Sequence, residues 1–373
     1  MKVLIAMDSM KGSLSSLEAG AAVADGVHRA VPDASTIVRP LADGGEGTVE
    51  ALVEGLSGQM RSVEVTGPRG AKVVARYGVV GGTAIMEMAQ ASGITLLDRT
   101  ELDPRVTTTY GVGEMIRHAL GEGCRRFIIG IGGSATNDAG AGMLQALGYK
   151  LLDASGSEIE VGGAALAEIA SIDSSIVQKE LSDAIFKIAC DVANPLCGVD
   201  GASAVYGPQK GATPEVVKEL DEALLHFALV AGGDCNAPGA GAAGGLGFAF
   251  MRFLGGELKR GVQLVLEETS FDAYVRDADI VVTGEGRLDA QTAMGKAPCG
   301  VAECAKRHGK SVLAFAGSVS SDAHALNENG IDAFFPILRS VVTLDEALDK
   351  TTAAENLAAT TEQVFRCLKL TAH

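Results

Sequence analysis

The sequence contains no tryptophan, and aromatic residues of all kinds make up only 4% of it. Its core must therefore close on small aliphatic side chains and tight backbone approach rather than on large rings. Histidines (six) and cysteines (seven) are few and scattered. There is no Cys-x-x-Cys pair and no His-Glu-x-x-His, and the cysteine number is odd, so neither a zinc site nor a disulfide framework is expected. No apolar run reaches the roughly 18 residues that a bilayer demands. The opening Met-Lys-Val-Leu-Ile-Ala-Met resembles the start of a signal peptide, but Asp8 and Lys11 cut it short. A soluble, cytoplasmic protein is expected. Positive charge is also scarce. The formal net charge of −16 argues against nucleic-acid and acidic-membrane partners, because both need a basic surface. An anionic small molecule remains open if a local pocket supplies cations, and Lys11, Arg105, Lys210, Arg287 and Lys296 are loop-placed candidates.

What the chain does have is apolar residues, glycine and length. With 373 residues, 47% of them hydrophobic, it exceeds one ordinary core and suggests two domains. Its 48 glycines fit alternating α/β units joined by many tight turns. Val3 to Met7 reads as a buried strand. A helix follows, with Leu14, Leu17, Ala21, Ala24, Val27 and Val31 on one face, Ser15 and Glu18 at capping-box spacing and Pro32 at its end. Ile37 to Leu41 is a second strand, running into Asp43-Gly44-Gly45-Glu46-Gly47. Residues 62–88 change character: three strand-like runs with short connections imply an antiparallel meander and a different domain, and Leu102 to Arg105 resembles a crossing linker. Further strands are expected at 127–131, 185–190, 280–282 and in SVLAFAG and DAFFPI, and an amphipathic helix closes the chain.

Polar groups recur where strands end. Asp8, Asp43, Asp138, Asp191 and Glu285 each stand among glycines beyond an apolar run. Around Glu285 the loop also carries Arg287, Asp289, Gln291 and Lys296. Ligands of open parallel sheets bind beyond such carboxyl ends. Carboxylates that hold Mg²⁺, cations and N–H groups that hold phosphates, and an Asp that accepts a hydroxyl proton suit phosphoryl transfer. Yet there is no Gly-x-x-x-x-Gly-Lys-Ser/Thr and no protein-kinase signature set. A rival reading is a dinucleotide fingerprint at Gly130-x-Gly132-x-x-Ala135 with Asp153 as ribose acid, which would make an NAD-linked oxidoreductase of a small hydroxy acid. Asn137 and Asp138 near the helix start oppose it. A third reading is a nucleotide sensor without turnover, although it needs fewer reactive groups than the chain carries. For Asp191 and Asn194 the bland alternative is an Asx-turn before Pro195.

The segments DSMKGSLSSLEA, PLADGGEGT, GGSATNDAGAGM, CDVANPLCG with YGPQKGA, GAAGGLG, and TGEGRLDAQTAMGKAP together resemble the bacterial glycerate kinase type 1 family, in order and over most of the chain. The resemblance implies ATP-dependent phosphorylation of D-glycerate, at the 2-hydroxyl to give 2-phosphoglycerate, with the 3-hydroxyl as the alternative. It implies a flavodoxin-like α/β domain with a parallel sheet (1–60, 104–145 and 275–373), a second mixed α/β domain inserted into it (61–103 and 146–274), and an active site in the cleft between them. The protein is expected to be a monomer or homodimer using ATP and Mg²⁺. Lys11, Lys210 and Lys296 are the candidates for holding phosphates or the glycerate carboxylate, with Arg287 able to fork onto either. Ser13, Gly132, Gly133, Asn137, Gly244, Gly245 and Glu285 are further nucleotide-contact candidates. Asp43, Glu46 and Glu285 are the Mg²⁺ candidates. Asp191 is the expected general base, with Asp8 and Asp289 as rivals.

Overall fold

The computed structural model describes residues 1–45, 47–177, 179–293 and 295–370. Its strands are β1 (Lys2–Met7), β2 (Ser35–Val38), β3 (Gln59–Thr66), β4 (Lys72–Val80), β5 (Thr83–Glu87), β6 (Arg126–Gly130), β7 (Lys150–Leu152), β8 (Ser171–Asp173), β9 (Ile185–Ala189), β10 (Glu257–Lys259), β11 (Ile280–Leu288), β12 (Ser311–Val319) and β13 (Ala333–Pro336). The chain divides into two compact units. The first comprises Met1–Asp43, Glu50–Ser57 and Val262–His373, the second Gly44–Val49 and Gly58–Gly261.

The first unit is a parallel sheet in the order β13-β12-β11-β1-β2. Counted within this unit the order is 2-1-3-4-5, the flavodoxin-like arrangement. Both faces are covered, so its strands read as continuous apolar runs rather than alternating ones. Val3, Ile5 and Met7 enter one core together with helices Ser16–Ala30 and Lys350–Leu370. Leu4 and Ala6 enter the other, with helix Ala297–Arg307. Each fully buried Val, Leu or Ile side chain contributes about 1.5–3 kcal/mol. Ser15 and Glu18 form the expected capping box. β2 ends at Val38 rather than Leu41: the Arg39 N–H still reaches the Ile5 carbonyl at 2.8 Å, but Pro40 has no N–H with which to continue the ladder.

The second unit holds a six-stranded sheet, β10-β9-β6-β5-β4-β3, and a small β7-β8 ribbon. The expected meander is present, with β3, β4 and β5 antiparallel. β5 then pairs parallel with β6, and β6 with β9. Residues 104–145 therefore lie in this second sheet rather than in the flavodoxin-like unit, residues 102–105 do not cross between units, and the return to the first unit comes at Val262 rather than near 275. Sequence signals for a buried parallel strand do not say which sheet it joins. The Gly-Ala-Ala-Gly-Gly run has a packing explanation. Ala243, Gly244 and Gly245 are all left-handed (φ 52°, 67° and 92°), and a Cβ on Gly244 would strike the Thr136 carbonyl. Gly244→Ala is expected to destabilise the protein by about 2 kcal/mol or more, through strain plus collision with backbone that has no room to yield. Urea denaturation checks this; an unchanged midpoint would show that the turn relaxes.

Candidate active site

β1 is followed by a helix on one face of the sheet, β11 by a helix on the other. The β1/β11 boundary is thus the topological switch point, where open α/β sheets leave a crevice beyond the strand ends. A cavity of about 460 Å³ opens there, and every described residue lining it belongs to the first unit. Such a volume lies in the range of small-molecule sites.

Three of the four carboxylates that line it are Asp8 just past β1, Asp43 beyond β2, and Glu285 on β11. The Asp8 backbone N–H donates to the Gly284 carbonyl at 2.8 Å, tying the two strand ends together. Gly284 is required for packing rather than for ligand approach, because a Cβ there would collide with the Phe315 carbonyl on β12. Ser16 braces the same region: its hydroxyl donates to the Met7 carbonyl at 2.7 Å and accepts the Leu41 N–H at 3.0 Å. Asp8 is 8% exposed. Burial, reinforced by the Asp43 charge, pushes its carboxyl up to about 7, against the Ser9 N–H that favours the ionised form. Glu285 is likewise pushed up by burial, opposed by the Thr292 hydroxyl, which donates to it at 2.6 Å, and by Lys296.

Lys11, Arg287 and Lys296 supply cations to the same cavity, and Ser13 lines it too. Asp289 also lines it, but its carboxylate accepts the Gln291 and Thr292 N–H groups at the start of a short helix and pairs with exposed Arg287 at 3.5 Å. The apolar part of the lining was not legible in the sequence. It is built from Ile337, Leu338, Leu344 and Leu348, with Asn356 also lining the cavity. These residues come from the loop after β13 and from two helices, so no motif spacing announces them.

The remaining candidates lie in the second unit. Asp191 is exposed and accepts the Gly261 N–H at 3.0 Å. Asn194 is held within its own loop: its amide donates to the Asp200 carbonyl and its oxygen accepts the Tyr206 hydroxyl. Lys210 is 1% exposed and donates to Ser134 Oγ at 2.8 Å and the Thr136 carbonyl at 2.7 Å. Asn137 is fully buried and donates to Ser203. Asp138, also fully buried, accepts from Thr109 N–H and Oγ1 at 2.8 Å each and from the Gly140 and Gly142 N–H groups. Gly132 and Gly133 form an exposed turn after β6, and Gly244 and Gly245 pack against the 136–139 backbone. The helix after β6 begins only at Ala141, too late for a dinucleotide fingerprint. Asp153 binds the Ser155 and Ser157 N–H groups of its own turn. Glu46 lies outside the described residues.

A doubly wound parallel unit with a switch-point pocket bearing four carboxylates and three cations defines an α/β enzyme for a small anionic ligand. The chain belongs to the glycerate kinase family, whose model matches residues 3–369, and it is an enzyme of that kinase class. It is 48% identical to a glycerate kinase of Haemophilus influenzae, with both chains covered in full. It is 48% identical to the glycerate 2-kinase of Escherichia coli K12 over 96% of this chain and 98% of that one. A crystal structure of a Salmonella typhimurium LT2 protein assigned as glycerate kinase 2 superposes with a TM-score of 0.92 at 48% identity, covering 100% of this chain and 99% of that one. The dinucleotide-oxidoreductase reading is thereby set aside. Among the described residues no helix is long and apolar enough to cross a membrane.

Proposed function

We propose that the protein transfers the γ-phosphoryl group of ATP to the 2-hydroxyl of D-glycerate, giving 2-phosphoglycerate and ADP, and that the switch-point cavity is where this occurs. The observation that carries the assignment is Asp8: a buried carboxylate at the end of β1, raised to about 7, beside Glu285 and facing a pocket that also holds Lys11, Arg287 and Lys296. A carboxylate so poised takes a proton at neutral pH. Asp8 accepts the hydroxyl proton as the alkoxide oxygen attacks the γ-phosphorus and the β–γ bridging bond breaks toward ADP. Lys11, Arg287 and Lys296 balance charge on the phosphates and the glycerate carboxylate. Asp289 suits the base role less well, since backbone N–H groups already engage it. Asp191 lies in the second unit and remains the base to test against Asp8.

Mg²⁺ would supply charge neutralisation on the β- and γ-phosphates. No cluster of three His, Cys, Asp or Glu side chains among the described residues could hold an ion alone. That donor set still fits Mg²⁺, which is commonly held by one or two carboxylates, with phosphate oxygens and water completing the octahedron. Asp43 and Glu285 are the carboxylates that would do so. The name of the Escherichia coli relative supports attack by the 2-hydroxyl. Incubating the protein with Mg-ATP and D-glycerate and following the product by ³¹P NMR tests the reading. 2-Phosphoglycerate is expected. 3-Phosphoglycerate would reverse the position of attack, and absence of either would remove the activity.

A further inference from the structure

We infer that the aliphatic wall of the switch-point cavity is the seat of the nucleotide base, and that the Asn356 carboxamide reads the base's polar edge. The inference rests on the kinase reading above and goes beyond it by assigning a subsite and a recognition residue. The lining of the cavity is of two kinds. Lys11, Arg287 and Lys296 supply charge, whereas Ile337, Leu338, Leu344 and Leu348 supply an aliphatic wall. D-glycerate is a three-carbon acid with oxygens on every carbon, so it has no surface to place against four aliphatic side chains. ATP has the matching polarity: an anionic chain at one end and a flat, weakly hydrated ring system at the other.

Asn356 lies on helix Lys350–Leu370, one turn from Ala353, and both line the cavity. Its side chain has no hydrogen-bond partner among the described residues. A carboxamide offers two N–H donors and an acceptor oxygen on one plane. That pattern pairs with an adenine edge, where an amino group stands next to a ring nitrogen. A half-buried amide on an otherwise aliphatic wall is placed to select rather than to support. Two of the wall's residues, Leu344 and Leu348, come from a short helix started by a Thr343–Glu346 capping box, and the other two from the loop after β13.

The test is equilibrium binding of two probes, Mg-ATP and inorganic tripolyphosphate, to the full chain by titration calorimetry. Tripolyphosphate has the phosphates without the base. In Asn356→Leu the Kd for Mg-ATP is expected to rise about tenfold while the Kd for tripolyphosphate stays within about twofold. Leu344→Arg is a second variant at a site 72% exposed, where folding tolerates the change, and it should show the same split. Unchanged ATP affinity in both variants would place the base elsewhere and overturn the inference. Parallel loss of both probes would show action through the fold and would overturn it too. Wild-type protein that forms phosphoglycerate while the variants bind ATP normally would sink this inference alone. Wild-type protein that binds no ATP would sink the kinase reading and the subsite with it.

Discussion

Asp8→Asn is expected to lower kcat by about 10²–10⁴-fold, the span typical of removing a general base, with Mg-ATP affinity changed far less. Asparagine keeps the shape and still accepts the Ser9 N–H, which lies 2.7 Å from the Asp8 carboxylate, so loss of the proton acceptor is isolated. The pH profile sharpens the assignment. With the carboxyl at about 7 in the free protein, kcat/KM for ATP should climb through an acid limb centred near neutrality. The kcat limb should sit lower, because a cation bound next to Asp8 favours its ionised form. Stability should move the opposite way to activity. The folded protein holds a proton on Asp8 that the unfolded chain, at the ordinary 3.8, releases. Wild-type stability therefore falls as pH rises from about 4 to about 7, at up to ~1.4 kcal/mol per pH unit. The Asn variant lacks that slope and should be the more stable protein at pH 8, by urea denaturation. If Asp8→Asn turns over near normally while Asp191→Asn does not, the base is Asp191.

The polar half of this site is legible in the sequence because its chemistry sits at strand ends. Apolar runs that stop at Asp8 and Glu285 put each carboxylate at the carboxyl end of a strand, and in a parallel sheet those ends share one edge. Arg287 on β11 itself and Lys11 and Lys296 in the segments that follow β1 and β11 line the same cavity. The apolar half is not legible. Leu338, Leu344, Leu348 and Asn356 read as ordinary loop and helix residues, and only the chain's return after β13 brings them to the pocket. The second unit misleads in a different way. Asp138, Asn137 and Lys210 carry the same glycine-flanked polar signature as Asp8. There the side chains are engaged by interior partners, Asp138 by Thr109, Asn137 by Ser203 and Lys210 by Ser134, and the glycines at 244 and 245 serve backbone packing. Strand-end polarity signals a buried network as readily as a ligand site, and what each side chain faces, which the sequence does not state, separates the two.

Lys210 offers the second large effect. Its ammonium is wholly interior, bonded to Ser134 Oγ and the Thr136 carbonyl, and near enough to feel Asp138. Lys210→Met keeps the length and flexibility of the stem but strands those two acceptors. A loss of about 2–5 kcal/mol is expected, at roughly 1–3 kcal/mol for each buried group left unsatisfied, read by urea denaturation, with accelerated hydrogen exchange at residues 132–142. The pH dependence identifies the cause. Burial drives the Lys210 ammonium from 10.5 down to about 7, so between those values the unfolded chain binds a proton that the folded chain does not. Wild-type stability should rise with pH across that window, at up to ~1.4 kcal/mol per unit, and the gap to Lys210→Met should widen from pH 7 to pH 9. A gap that stays constant would mean the lysine keeps its charge throughout, as one half of a true ion pair. The role of Lys210 as a phosphate holder predicts something else again: KM for ATP rises while stability and its pH slope stay where they were. Measuring both on one variant decides whether this lysine holds the fold or the substrate.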